Sequence, residues 1–103
     1  MQTHKKLTYC FDIDGTLCTN SDGFYASHKP YEDRIKKVNE LHKKGHKILL
    51  FTARGSTTGK DWSELTMQQL KKWKVQYDYL IFGKPDADIF IDDKGINDVL
   101  FFK

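Results

Sequence analysis

The chain has 103 residues, 39% hydrophobic and 30% charged, which suits one globular domain with one modest core and leaves no room for a second. Its formal charge of +3 comes from Lys and Arg scattered along the sequence rather than gathered into a run, so composition points to no nucleic-acid partner. The longest apolar stretches, Lys47 to Phe51 and Tyr79 to Phe82, are far too short to cross a bilayer, and Met1 to Lys6 carries no apolar leader, so a cytoplasmic protein without a membrane partner is expected.

In chain order, Leu7 to Ile13 is the first expected strand, and its nearly continuous apolar run places it at the centre of a sheet. Cys10 lies inside that run and Cys18 lies eight residues on, which forms neither a metal knuckle nor a redox pair. The polar stretch from Thr19 to Lys29, with Asn20, Ser21, Asp22 and Gly23, reads as a loop or small flap. From Tyr31 to Lys44, apolar Tyr31, Ile35, Val38 and Leu41 recur at helical spacing and Gly45 supplies the stop, so a helix is expected after Pro30.

Ile48 to Phe51 is a buried strand ending at Thr52, followed by a loop from Gly55 to Gly59. A second helix starts with Asp61 as cap and Glu64 three residues on as a capping box, presents Trp62, Leu65, Leu70 and Trp73, and ends in Lys71, Lys72 and Lys74. Tyr79 to Phe82 and Ile89 to Ile91 are the third and fourth strands, and Val99 to Phe102 is a candidate fifth. Apolar runs alternating with amphipathic stretches indicate an α/β domain, residues 1–103, with a mainly parallel sheet of four or five strands.

Each expected strand ends at a polar group: Asp12 and Asp14, Thr52, Lys84, then Asp92 and Asp93. Open parallel sheets bind ligands beyond the carboxyl ends of their strands, so these residues would share one crevice. Asp12 and Asp14, two residues apart, point to the same side, and Gly15 lets the backbone turn beside a ligand. Carboxylates gathered in one crevice repel unless a cation lies among them, and all-oxygen ligation suits magnesium. A phosphate ester could then sit between that ion, the Lys84 ammonium and the Thr52 hydroxyl, with one aspartate as nucleophile and the other moving protons.

Phe11-Asp12-Ile13-Asp14-Gly15-Thr16, the strand ending in Thr52, Lys84 in Gly83-Lys84-Pro85, and the pair Asp92 and Asp93 occur in this order, and the chain thereby resembles the haloacid dehalogenase (HAD) superfamily of phosphatases. The resemblance spans Phe11 to Asp93 and implies a three-layer, Rossmann-like fold without a cap domain, since neither insertion loop is long enough to hold one. It implies Asp12 as nucleophile and metal ligand, and Asp14 as acid/base that also offers its carbonyl to Mg2+. Asp92 and Asp93 complete the metal site, and Thr52 and Lys84 contact phosphate. Gly15, Thr16 and Arg54 are expected on the substrate side.

Thr52-Ala53-Arg54, Tyr77-Asp78 and Ile91-Asp92-Asp93-Lys94 are further similar to small bacterial phosphatases of capsule and surface-polysaccharide synthesis, which implies a sugar phosphate or another small phosphorylated metabolite as substrate and a second copy of the chain as a candidate lid. Asn97 and Asp98 partly meet a further carboxylate position of that family.

Several residues have blander readings. Arg54 could hold a substrate anion or pair with a neighbouring carboxylate. His28 reads as an exposed loop histidine, Trp62 and Trp73 as core, and Lys36, Lys37, Lys43, Lys44 and Lys71 to Lys74 as solvated helix faces. A receiver-like phosphoacceptor, a non-catalytic partner-binding domain and a nucleic-acid end phosphatase are the competing functions. The receiver is disfavoured because Phe51-Thr52 stands where its acceptor aspartate would lie.

Overall fold

In the computed structural model, which describes residues 5–21 and 24–103, the centre of the sheet is β2 (Lys47–Thr52), whose sequence KILLFT sends alternate side chains to opposite faces. Met1 to His4, and Asp22 and Gly23 of the expected flap, lie outside the described residues. β2 pairs in parallel with β1 (Thr8–Phe11) on one side and β3 (Tyr79–Phe82) on the other. Phe11 lies opposite Leu50, which lies opposite Leu80, and Thr52 lies opposite Phe82.

The first strand is therefore an edge, not the centre, and the described residues form three strands rather than four or five. The burial of β1 alternates: Thr8 and Cys10 are exposed, Tyr9 is half-buried and Phe11 is buried. Ile89 to Ile91 pairs with no strand, and Ile91 is 92% exposed. Just beyond it, Asp92 Oδ1 accepts the N–H groups of both Lys94 and Gly95, which turns the chain instead of extending it. Residues expected as a fifth strand form a short helix, α3 (Asp98–Phe101), because Asn97 Oδ1 accepts the Val99 N–H at 3.0 Å and caps it.

The long helices are α1 (Glu32–Lys43) and α2 (Ser63–Lys72). α1 buries Ile35 and Val38 and closes on Gly45, whose φ of +94° lets the His46 N–H return to the Leu41 carbonyl. α2 begins one residue later than expected, with Trp62 at the N-cap and no side-chain cap bond; Asp61, just before it, accepts the Ser63 N–H at 2.9 Å, and Glu64 completes no capping box and instead contacts Gln68.

Only one face of the sheet feeds the core. Phe11, Ile48 and Leu50 join Ile13, Leu17, Ile35, Val38, Leu70 and Val75 in one buried cluster, with Tyr9, Trp73, Phe101 of α3 and its C-cap Phe102 packed against it. On the opposite face Cys10, Tyr79 and Ile81 are exposed. The described residues thus form two layers where three are implied by the resemblance, with no cap. No described helix is long and apolar enough to cross a membrane.

Candidate functional site

The candidate site lies where β1 gives way to a tight turn. After Phe11 the Leu17 N–H returns to the Ile13 carbonyl at 2.8 Å and the Gly15 N–H to the Cys18 carbonyl at 2.8 Å, so the sequence from Asp12 to Cys18 folds back on itself. This presents Asp12 at the strand end, its Oδ1 3.6 Å from Lys84 Nζ. Lys84 is held in turn by its own N–H, which donates to the Thr52 carbonyl at 3.1 Å. The carboxyl ends of all three strands therefore meet at this point. Burial pushes the Asp12 carboxyl above its ordinary value, which the nearby Lys84 ammonium offsets only in part.

Asp14 has a different environment. Arg54 Nε donates to its Oδ2 at 3.0 Å and Arg54 Nη2 to its Oδ1 at 2.8 Å, while His28 Nδ1 lies 2.7 Å from the same Oδ1. Burial pushes the Asp14 carboxyl up, but Arg54 and His28 together outweigh it and hold the group below its ordinary value. Arg54 is itself 3% exposed: Nη1 donates to Thr66 Oγ1 and Gln69 Oε1, and the Tyr25 ring lies over the guanidinium at 4.7 Å. Gln69 continues the network by donating from Nε2 to the Tyr25 carbonyl, and His28 Nε2 meets Ser21.

Of the two readings of Arg54, pairing with a carboxylate is the one observed, with the guanidinium buried against Asp14. His28, expected to be exposed, is 5% exposed because its ring bridges Asp14 and the chain at Ser21. Sequence reasoning also passed over Thr66 and Gln69, which no local pattern marks as partners of Arg54.

The remaining expected site residues divide. Thr16 Oγ1 lies 3.5 Å from Asp12 Oδ2, and Thr16 offers its carbonyl to Arg34. Thr52 is fully buried, and its hydroxyl accepts the Arg54 N–H at 3.1 Å, which shapes the loop after β2. Asp92 and Asp93 are exposed and are not brought into a cluster with Asp12 and Asp14. The backbone N–H groups of Gly95 and Lys94, with a smaller contribution from the Lys94 ammonium, hold the Asp92 carboxyl below its ordinary value. Asn97 caps α3 and Asp98 pairs with Arg34 at 2.6 Å.

A magnesium ion fits this arrangement in part. Asp12 has hard oxygens and a raised carboxyl that a cation would favour in its ionised form, whereas Asp14 has its side chain engaged by Arg54 and can offer only its carbonyl. The potential ligand group that the described residues do form is Asp14, Cys18 and His28. It is an unsuitable cation seat, because the Arg54 guanidinium already occupies Asp14 and the Cys18 thiol, pushed up to about 12 by burial and by Asp14, stays protonated near neutral pH.

No protein-family model matches the chain, and no curated protein matches it. Among solved structures it is similar to a structural-genomics target from Vibrio cholerae, at 29% identity and a TM-score of 0.82, over 95% of this chain and 88% of that one. It is also similar in fold to one chain of a Pnkp1/Rnl/Hen1 complex, at 23% identity and a TM-score of 0.59, over 95% of this chain but 33% of that one. These matches support a small α/β domain with a parallel sheet, a fold that this chain shares along nearly its whole length with the Vibrio cholerae protein.

Proposed function

We propose that the chain is a magnesium-dependent phosphomonoester hydrolase of the haloacid dehalogenase type, acting through an aspartyl phosphate on Asp12. The observation that carries this reading is the meeting of Asp12, at the end of β1, with the Lys84 ammonium from the end of β3 at 3.6 Å, beside a second carboxylate held in place by buried partners. The substrate class is a small phosphorylated metabolite, such as a sugar phosphate of polysaccharide synthesis, with a second copy of the chain as a candidate cover for the open site.

In this mechanism a carboxylate oxygen of Asp12 bonds to phosphorus, the ester bond breaks, and the leaving oxygen takes a proton. Water then attacks the phosphorus of the aspartyl phosphate, restoring the carboxylate and releasing phosphate. Lys84 balances negative charge on the phosphoryl oxygens, and bound magnesium supplies further neutralisation of the same kind. Asp14 moves the protons. Arg54 and His28 favour its ionised form, the form that can accept the proton of the attacking water, while weakening it as a base.

The same clamp favours a second reading, a receiver-like phosphoacceptor whose phosphoryl group turns over slowly, because a carboxylate fixed by Arg54 delivers protons poorly. Phosphate release measured over sugar phosphates, nucleotides and phosphorylated acids, with and without magnesium, separates the two. Catalytic release that is lost in Asp12→Asn supports hydrolysis. A stable phosphoprotein without release supports the acceptor, and release retained in Asp12→Asn contradicts both.

A further inference from the structure

We propose that the cleft between α1 and the C-terminal end of α2 binds single-stranded nucleic acid through its phosphates. Lys29, Lys36, Lys43, Lys72 and Lys74 line a concavity of about 800 Å³ together with Trp73. Its acidic lining residues are Glu32 and Glu40. Five lysines against two glutamates give the cleft an excess of three positive charges, which equals the formal charge of the whole chain, so the other twelve basic and twelve acidic residues cancel. The lysines look scattered in the sequence, but the fold collects the entire charge excess on one concave surface, where the field is focused. Among the described residues, none of the five forms an ion pair with a carboxylate.

The backbone at Lys74 is a second, independent observation. α1 and α2 end in the same motif: the His46 N–H returns to Leu41 after α1, and the Val75 N–H returns to Leu70 at 3.0 Å after α2. The left-handed residue of this motif is Gly45 in α1 but Lys74 in α2, with φ +59°. A side chain is disfavoured at such a position, yet a lysine stands there. Asn39 of α1 secures it, donating from Nδ2 to the Lys74 carbonyl at 2.9 Å and accepting the Gln76 N–H at 2.8 Å, so the two walls of the cleft are tied together.

The chemistry selects the occupant. Lysines act as separate point charges, which suits successive backbone phosphates better than one bidentate anion. Five of them exceed what a single phosphate needs, a concave surface matches a flat lipid face poorly, and the net positive lining suits a chain of successive phosphates. This inference is independent of the proposed phosphatase activity, since neither Asp12 nor Lys84 lines the cleft.

Fluorescence anisotropy of the whole chain with a labelled single-stranded oligonucleotide tests it. Affinity is expected to fall with salt at a log–log slope of about −0.7 per phosphate engaged, or about −3.5 if every lysine contributes. Lys36→Glu with Lys72→Glu, both exposed in the wild type, should weaken binding at least tenfold at low salt and flatten that slope. Lys74→Gly should raise Tm, by relieving the left-handed strain, while lowering affinity; this variant keeps the test valid if the double variant folds poorly. Unchanged affinity in both variants, a slope near zero, or tighter binding to anionic lipid vesicles that the same variants abolish would overturn the assignment.

Discussion

Replacing Arg54 by methionine keeps much of the buried volume but deletes the guanidinium that donates to Asp14 from Nε and Nη2 and to Thr66 and Gln69 from Nη1. The side chains of Arg54 and Asp14 are 0% and 14% exposed, so this is a buried pair, and removing one partner of such a pair costs about 3–5 kcal/mol. Each oxygen left without its donor, Thr66 Oγ1 and Gln69 Oε1, adds about 1–3 kcal/mol where water does not reach it. Domains of this kind have about 5–15 kcal/mol in total, so Arg54→Met should lose at least about 3 kcal/mol and approach unfolding.

The effect should depend on pH with a definite sign. Arg54 and His28 hold the folded-state carboxyl of Asp14 below its unfolded value of 3.8 in spite of burial. The resulting stability is fully present above that value and is lost as pH falls through the folded one. Urea unfolding of wild type and variant should therefore show the full gap at neutral pH, with similar m-values, and a narrower gap below about pH 4. Adding Asp14→Leu to the variant should recover part of the loss, since an apolar pair can replace a buried ionic one. A neutral-pH difference under about 1 kcal/mol, the worth of an exposed ion pair, or a gap that widens on acidification, would refute the buried clamp.

Gly55→Ala should destabilise the loop after β2 by about 1–3 kcal/mol or more, because φ is +81° and the added methyl would collide with the Lys60 carbonyl; a Tm equal to wild type would contradict this placement. A thiol reagent should modify exposed Cys10 in the native chain and leave buried Cys18 until denaturant is added, whereas rapid native labelling of both would show that the turn after β1 opens readily.

The parts of the fold legible in the sequence are those carried by local pattern. β2, β3, α1 and α2 all occur close to where their periodicity and caps place them. β1 was legible as a strand but not as an edge, because the run from Leu7 to Ile13 is apolar at positions such as Cys10 that prove exposed. Ile89 to Ile91 and Val99 to Phe102 have the composition of strands, but a strand needs a partner. The turn at Asp92 and the cap at Asn97 decide those segments instead.

The candidate site divides in the same way. Asp12 and Lys84 were legible because each ends an apolar run, and a parallel sheet brings such ends together. The clamp on Asp14 was not, since His28 lies 14 residues away and Arg54 lies 40 away, and neither sits in a pattern that requires the other. The lysine cleft was hidden for the same reason: its charges come from the flap, α1 and the end of α2, and only the fold makes them neighbours.

The proposed chemistry is tested most directly by quenching the chain during turnover of a phosphate monoester with magnesium, reducing any acyl phosphate with borohydride, and mapping the peptides by mass spectrometry. An aspartyl-phosphate mechanism predicts reduction product at Asp12, and none in Asp12→Asn. Phosphate release with an unmodified Asp12, or a phosphoryl group trapped on Asp14, Cys18 or His28 instead, would contradict it.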